Sequence, residues 1–253
     1  MENLKLHKEG QVYTLQLDRG TANALQTGMI KEITQVFKDL EQDSGCRAVV
    51  LTGKGNFFSA GLDVIEIAAY NEAESTEFWL SFAEMMGCML AFPKPLVAAI
   101  NGHSPAGGAI MALTCDFRYM AEGKFRIGLN EMSVGIVVPD PIFDMYARVV
   151  GQKNAYQFLL EGKLLLPEEA LDAGLVDAIS PQEEVYTKAM EKAQALAKLE
   201  PKTYALTKRN MRKSLLDKFS DKENSYFDAT IKHWFDPNAR AVLQVLVDGL
   251  KSK

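Results

Sequence analysis

Phe57-Phe58-Ser59-Ala60-Gly61-Leu62-Asp63-Val64-Ile65-Glu66 is the stretch whose reading decides the fold. It follows Ala48-Val49-Val50-Leu51-Thr52, a continuous apolar run of the kind a strand needs when both its faces are covered. Between them lies the glycine loop Thr52-Gly53-Lys54-Gly55-Asn56. Asp63 and Glu66 stand at the spacing of a capping box, so a helix is expected to begin just after Gly61-Leu62. A second stretch repeats the plan: Pro95-Leu96-Val97-Ala98-Ala99-Ile100 reads as a buried strand. Asn101-Gly102-His103-Ser104-Pro105-Ala106-Gly107-Gly108 is its loop, and Ala109–Leu113 an apolar helical start. A glycine turn bares backbone N–H groups and lets a ligand approach closely. A helix opening behind it adds unsatisfied N–H groups and a dipole that favours negative charge. Two such loops facing each other can hold one oxyanion between them. On spacing alone, plain strand-to-helix turns explain the pattern equally simply.

Outward from these loops, Leu4–Lys8 and Val12–Leu17 flank Glu9-Gly10 and read as a hairpin. Thr27–Leu40 places Met29, Ile30, Ile33, Val36, Phe37 and Leu40 on one helix face. A longer helix is expected over Ser75–Leu90, and a third buried strand at Phe117–Met120. From Pro139 onward the pattern is nearly all helical, with Asp177–Ser180 as one short strand. Val185, Ala189, Met190, Ala193 and Leu196 mark one amphipathic helix, and Val242, Leu243, Leu246 and Leu250 the last. No Ser/Gly-rich linker divides the chain. The expected architecture is an α/β core over residues 1–195, with a helical region over 196–253 packed closely on it.

Composition narrows the function. Of 253 residues, 47% are hydrophobic and 24% charged, which permits a sizeable core and excludes disorder. A net charge of −5 argues against nucleic acid as a partner. The densest basic stretch, Lys202, Lys208, Arg209, Arg212 and Lys213, reads as a solvated helix face. Three widely spaced cysteines, Cys46, Cys88 and Cys115, contain no CxxC pair and point to reduced thiols rather than disulfides or zinc. The N-terminus carries no apolar signal core, and no apolar run approaches the ~20 residues a membrane span needs. A cytoplasmic protein is expected.

The familiar catalytic signatures are missing: there is no GxGxxG, GxxxxGK[ST], HExxH or GxSxG motif. His7, His103 and His233 lie far apart, and His103 reads as a loop residue. A metal centre is not expected. Two glycine loops and a few carboxylates remain.

Phe58–Asp63 resembles the first signature of the crotonase (enoyl-CoA hydratase/isomerase) family. Ala99–Gly102, Pro105–Gly108 and Leu113–Arg118 resemble its second. The resemblance runs over nearly the whole chain, and two signatures at the right separation are far more specific than either alone. Pro-Ala-Gly-Gly, Ala-Leu-Thr-Cys-Asp and Ile127–Glu131 (Ile-Gly-Leu-Asn-Glu) are most similar to the isomerase branch of the mitochondrial 3,2-trans-enoyl-CoA type.

The resemblance implies a ββα spiral core, a helical C-terminal trimerisation region, and homotrimers or hexamers. It implies an acyl-CoA thioester as substrate, a place in fatty acid β-oxidation, and no cofactor beyond the coenzyme A of the substrate. It places the oxyanion hole at the backbone N–H groups of Leu62 and Gly107. It puts Ser59, Ala60, Gly61, Asp63, Asn130 and Ala24 in contact with the substrate, with Ala24 in the Asn23-Ala24-Leu25 turn at the adenine. The family's hydratases use two glutamates. One of them matches Glu131, but the other matches Ile110, which carries no proton. One carboxylate suffices for a 1,3 proton shift, so the departure at Ile110 favours an isomerase over a hydratase, hydrolase or lyase of the same fold. If apolar neighbours such as Met132 and Val134 desolvate Glu131, its pKa rises toward neutrality.

The remaining expectations are looser. Asp140 lies one residue past the position of an extra acid in dienoyl-CoA isomerases and reads as a helix N-cap. Arg19 is the basic residue left near the adenine turn. Trp234 and Phe235 read as core or interface, with Lys251 and Lys253 as the alternative source of coenzyme contacts. The helix over Tyr70–Ser81 is expected to shape the acyl pocket.

Overall fold

The computed structural model describes residues 1–219 and 225–252. β1 (Leu4–Glu9) and β2 (Val12–Leu17) form the antiparallel hairpin, turned by Gly10 at φ +63°. α1 (Thr27–Gln42) leads to β3 (Ala48–Gly53). The short α2 (Val64–Ile67) and long α3 (Glu72–Ala91) precede β4 (Leu96–Ile100). β5 (Ser104–Pro105), α4 (Gly107–Thr114), β6 (Phe117–Ala121) and β7 (Ile127–Gly128) follow. A 3-10 turn at Glu131–Val134 then leads into α5 (Asp140–Val150), α6 (Gln152–Glu161) and α7 (Pro167–Asp172). β8 (Ala178–Ser180), α8 (Gln182–Leu196), α9 (Pro201–Phe219), α10 (Ser225–Trp234) and α11 (Pro237–Lys251) complete the described chain.

The main sheet runs β1-β2-β3-β4-β6-β8, parallel from β2 onward, and β5 pairs with β7 in a small second sheet. Period-2 alternation explains why the central strands are apolar throughout. Val49, Leu51, Ala98 and Ile100 join the large core with α1 and α3. Ala48, Val50, Val97 and Ala99 face the other way, against Val185, Ala189, Met190 and Ala193 of α8.

α3 begins three residues before the expected start. Asn71 accepts from the Glu74 N–H while Glu74 reaches back to the Asn71 N–H, a full capping box. At α2 only half the expected box forms. Asp63 accepts from the Glu66 N–H at 3.1 Å, but the Glu66 carboxylate is drawn instead to Arg19 and Tyr70.

The basic stretch is not the solvated face expected of it. Lys202, Arg209 and Lys213 are exposed, but Lys208 is buried and Arg212 largely so. Spaced i,i+4, these two grip the Asp116 carboxylate at 2.8 and 2.9 Å and donate to the backbone carbonyls of Lys94, Leu90 and Thr114. They pin α9 to the core. Burial pulls the Lys208 ammonium down to about 8 despite the partly offsetting Asp116 charge.

Candidate active site

The Asn23-Ala24-Leu25 turn organises the first glycine loop. Asn23 is fully buried at φ +50°, a left-handed conformation that Asn tolerates. Its amide donates to the carbonyls of Lys54 and Phe57 at 3.1 and 2.9 Å, and its side-chain oxygen accepts from the Arg19 N–H. Ser59 Oγ donates to the Asn23 carbonyl and accepts from the Gly61 N–H. The Ala60 N–H donates to the Ala22 carbonyl. Along the extended segment, the Leu25 N–H donates to Gly61 and the Asp63 N–H donates to Leu25, each at 2.8 Å. Backbone groups alternate in direction along such a segment. The Leu62 N–H between them therefore points away from Leu25.

The second loop comes up on that open side. A Cβ added to Gly61 would lie 3.0 Å from the Gly107 nitrogen, and one added to Gly107 would lie 3.2 Å from the Gly61 Cα. A Cβ on Gly108 would lie 2.4 Å from the Ser59 carbonyl oxygen. Only glycine backbone permits this approach. Ala106, the N-cap of α4, sits at φ +47°, ψ −121°, a conformation that turns the chain so that the Gly107 N–H opens the helix toward the first loop. The Ala106 N–H is held by the Gly128 carbonyl at 2.8 Å. Thus β7, whose continuation carries Glu131, is tied to the second loop.

Leu62, Gly107, Ile110 and Glu131 line one cavity. Its other walls are Trp79 and Phe82 of α3, Ile136–Pro139, Ile142 of α5 and Phe227 of α10. Glu131 is its only ionisable lining residue among the described residues. The carboxyl is 6% exposed, and among the described residues Oε2 has no hydrogen-bond partner. Burial raises its pKa to about 7, opposed only by its own backbone N–H. Ile110, on the first turn of α4, is 5% exposed and contributes a branched alkyl group to the cavity wall. Asn130, N-cap of the 3-10 turn, also has a buried unpartnered oxygen.

The other expected residues divide. Asp63 does not face the cavity. Its carboxylate pairs with Arg19 at 2.7 Å, and Arg19 also donates to Glu66 and to the Ala24 carbonyl. Arg19 is thereby committed to bracing the loop between two carboxylates. Asp140 is not the N-cap, which is Pro139. It sits in the first turn of α5, half exposed, on Lys218 at 2.6 Å. Pro139 lines the cavity instead. His103 accepts from the Arg126 N–H through Nδ1 and packs between Phe57 and Phe125. Trp234 is buried against Trp79 at 5.7 Å, whereas Phe235 is partly exposed. Lys251 closes α11 away from the cavity lining, and Lys253 lies outside the described residues. The three cysteines are unpaired, and their thiol pKa values are pushed up by burial, to about 12 at Cys115. No cluster of potential metal ligands and no helix long and apolar enough to cross a membrane occurs among the described residues.

The enoyl-CoA hydratase/isomerase family model matches residues 7–240. The chain belongs to that family. Mitochondrial enoyl-CoA delta isomerase 1 of Mus musculus is 38% identical over 81% of this chain and 72% of its own length. A putative enoyl-CoA hydratase of Thermus thermophilus is 39% identical over 74% of each chain. The crystal structure of human mitochondrial delta3-delta2-enoyl-CoA isomerase superposes with a TM-score of 0.95 at 29% identity, covering 99% of this chain and 98% of that one. The architecture is thus the crotonase fold of this family, whose members act on acyl-CoA thioesters. Of the walls, Trp79 falls in the Tyr70–Ser81 helix expected to shape the pocket, whereas sequence reading missed Phe82, Ile136–Val138 and Phe227, because none of these apolar residues differs in type from core.

Proposed function

We propose that this enzyme is a double-bond isomerase converting 3-enoyl-CoA to trans-2-enoyl-CoA by a 1,3 proton shift. One observation carries the reading: among the described residues Glu131 is the sole ionisable group in the cavity lining, and Ile110, which matches the position of the hydratases' other glutamate, lines it with an alkyl group. The thioester oxygen sits between the Leu62 and Gly107 N–H groups. The Glu131 carboxylate takes a proton from C2, and the C2–H electrons move into the thioester as an enolate. The enolate then re-forms as the conjugated 2-enoyl thioester while the same carboxyl returns the proton at C4. A base near neutrality takes and returns protons with little bias. Backbone donors aimed at the developing oxyanion are each worth about 100- to 1,000-fold in rate.

Hydration is the second reading, favoured by the Thermus thermophilus relative. It needs a group to activate water and another to deliver a proton, and the apolar wall facing Glu131 offers neither. Coenzyme A contacts at Ser59, Ala60, Gly61, Asn130 and the Ala24 turn, with no cofactor besides, belong to the same reading. So does a homotrimer or hexamer, which light scattering tests. The decisive assay incubates 3-enoyl-CoA with wild type and Glu131→Gln, following the ultraviolet absorbance of the conjugated product, with a parallel run in ¹⁸O-labelled water. Absorbance rising with wild type alone, without label uptake, supports the isomerase; no rise from 3-enoyl-CoA together with label uptake from 2-enoyl-CoA or at the thioester overturns it in favour of hydration or hydrolysis.

A further inference from the structure

We infer that Tyr146 is a positioning residue for Glu131: its phenol donates a hydrogen bond to the carboxylate when Glu131 is ionised, and so sets the pH range in which the base works. This rests on the reading of Glu131 as the base.

Three buried polar atoms around the base lack a partner among the described residues: Glu131 Oε2, Asn130 Oδ1 and Tyr146 Oη. Tyr146 is completely buried, on the inward face of α5 one turn after Ile142, which lines the cavity together with Glu131. A buried hydroxyl without a partner destabilises the fold relative to phenylalanine of the same shape. Retaining it here is explained if the partner arrives with the charged state of the site. The phenol feels that charge: besides burial, Glu131 is the group that raises the Tyr146 pKa. The elements packed against the 3-10 turn and α5 carry other charges. These are Lys153 and Glu161 on α6, Lys202, Lys208, Arg209, Arg212, Lys213, Asp217 and Lys218 on α9, Arg240, Asp248 and Lys251 on α11, and Asp140, Asp144 and Arg148 on α5 itself. None of them contributes to the shift at either group. The carboxyl in its neutral form, as burial favours, needs no donor. Once ionised it is an acceptor with an open lone pair, and a phenol–carboxylate bond is charge-assisted and short.

Two readouts test this. Infrared difference spectra of wild type minus Glu131→Gln, taken against pH without substrate, report the carboxyl directly. The acid limb of kcat/KM for 3-enoyl-CoA reports it through turnover. Tyr146→Phe is expected to raise the pKa in both by about one unit, a tenfold change in acidity. Activity then falls about tenfold below that limb and returns to near wild type above it. A uniform loss at every pH, or an unmoved infrared titration, overturns the inference by assigning Tyr146 to packing alone. If Tyr146→Phe does not fold, wild type grown on 3-fluorotyrosine decides. Its more acidic phenol strengthens the bond and must lower the Glu131 pKa; no shift overturns the inference. A shifted titration in a protein without turnover leaves the Tyr146–Glu131 coupling standing and removes the isomerase reading instead.

Discussion

Glu131→Gln has a consequence for stability that is independent of catalysis. The carboxyl titrates at about 7 in the folded protein against an ordinary value of 4.5. Between those values the folded state binds the proton that the unfolded chain has released. Stability therefore falls as pH rises through the window, and the contribution is fully favourable only below it. A gap of about 2.5 pH units corresponds to about 3 kcal/mol, most of which develops between pH 5 and pH 8. Glutamine is neutral throughout and nearly isosteric, so it removes this term and no other titration. The assay is urea unfolding of both proteins at fixed protomer concentration at pH 5, 6, 7 and 8, since oligomerisation would make stability concentration-dependent. The difference between variant and wild type is expected to grow in the variant's favour by about 2–3 kcal/mol from pH 5 to pH 8. The same substitution is expected to cost 100- to 10,000-fold in kcat, the usual range for a lost general base. The stability advantage of the variant over wild type is thus largest at the pH where its activity deficit is largest. Parallel stability curves would show that the carboxyl is solvated and ionised in the folded state, and the argument for a poised base would collapse.

Other outcomes follow from the same geometry. Gly108→Ala drives a Cβ to 2.4 Å from the Ser59 carbonyl; it is expected to part the two loops, costing about 1–3 kcal/mol in thermal stability and at least tenfold in kcat/KM. Ile110→Glu restores a second carboxyl across from Glu131; hydration of 2-enoyl-CoA in ¹⁸O-labelled water is expected to appear, and its absence in a folded variant would mean the wall excludes water whatever the residue. Asp116→Ala leaves Lys208 and Arg212 buried with carbonyl partners only, and is expected to lower unfolding stability by about 3–5 kcal/mol while sparing the cavity.

The parts of the fold that sequence made legible are those where one physical demand writes a local pattern. The strands covered on both faces, β3 and β4, are apolar without interruption, and α1 buries one helical stripe. The glycine loops are legible because closeness to another backbone forbids a Cβ, and Gly61, Gly107 and Gly108 each meet the opposite loop. The start of α3 was lost because an exposed first turn carries no apolar period, and its capping box at Asn71 had to be read instead. The fates of Lys208 and Arg212 were lost for a different reason. An i,i+4 pair of cations looks the same on a solvated face as on an inner one, and only Asp116, 92 and 96 residues away in sequence, separates the cases.

The site repeats that division. Glu131 could be found because its neighbours match a family motif, but its chemistry comes from residues with no motif. Ile110, Ile136, Pro139 and Phe227 are brought together from three separate stretches of the chain. Each alone reads as core. Together they remove water from one carboxyl, lifting its pKa from the ordinary 4.5 to about 7. They also leave Glu131 without a second ionisable side chain in the cavity lining among the described residues. In the proposed isomerase, the same apolar wall both prepares the base for proton transfer and disfavours addition. That is why a change as small as the residue at position 110, rather than the fold, is expected to decide between isomerisation and hydration.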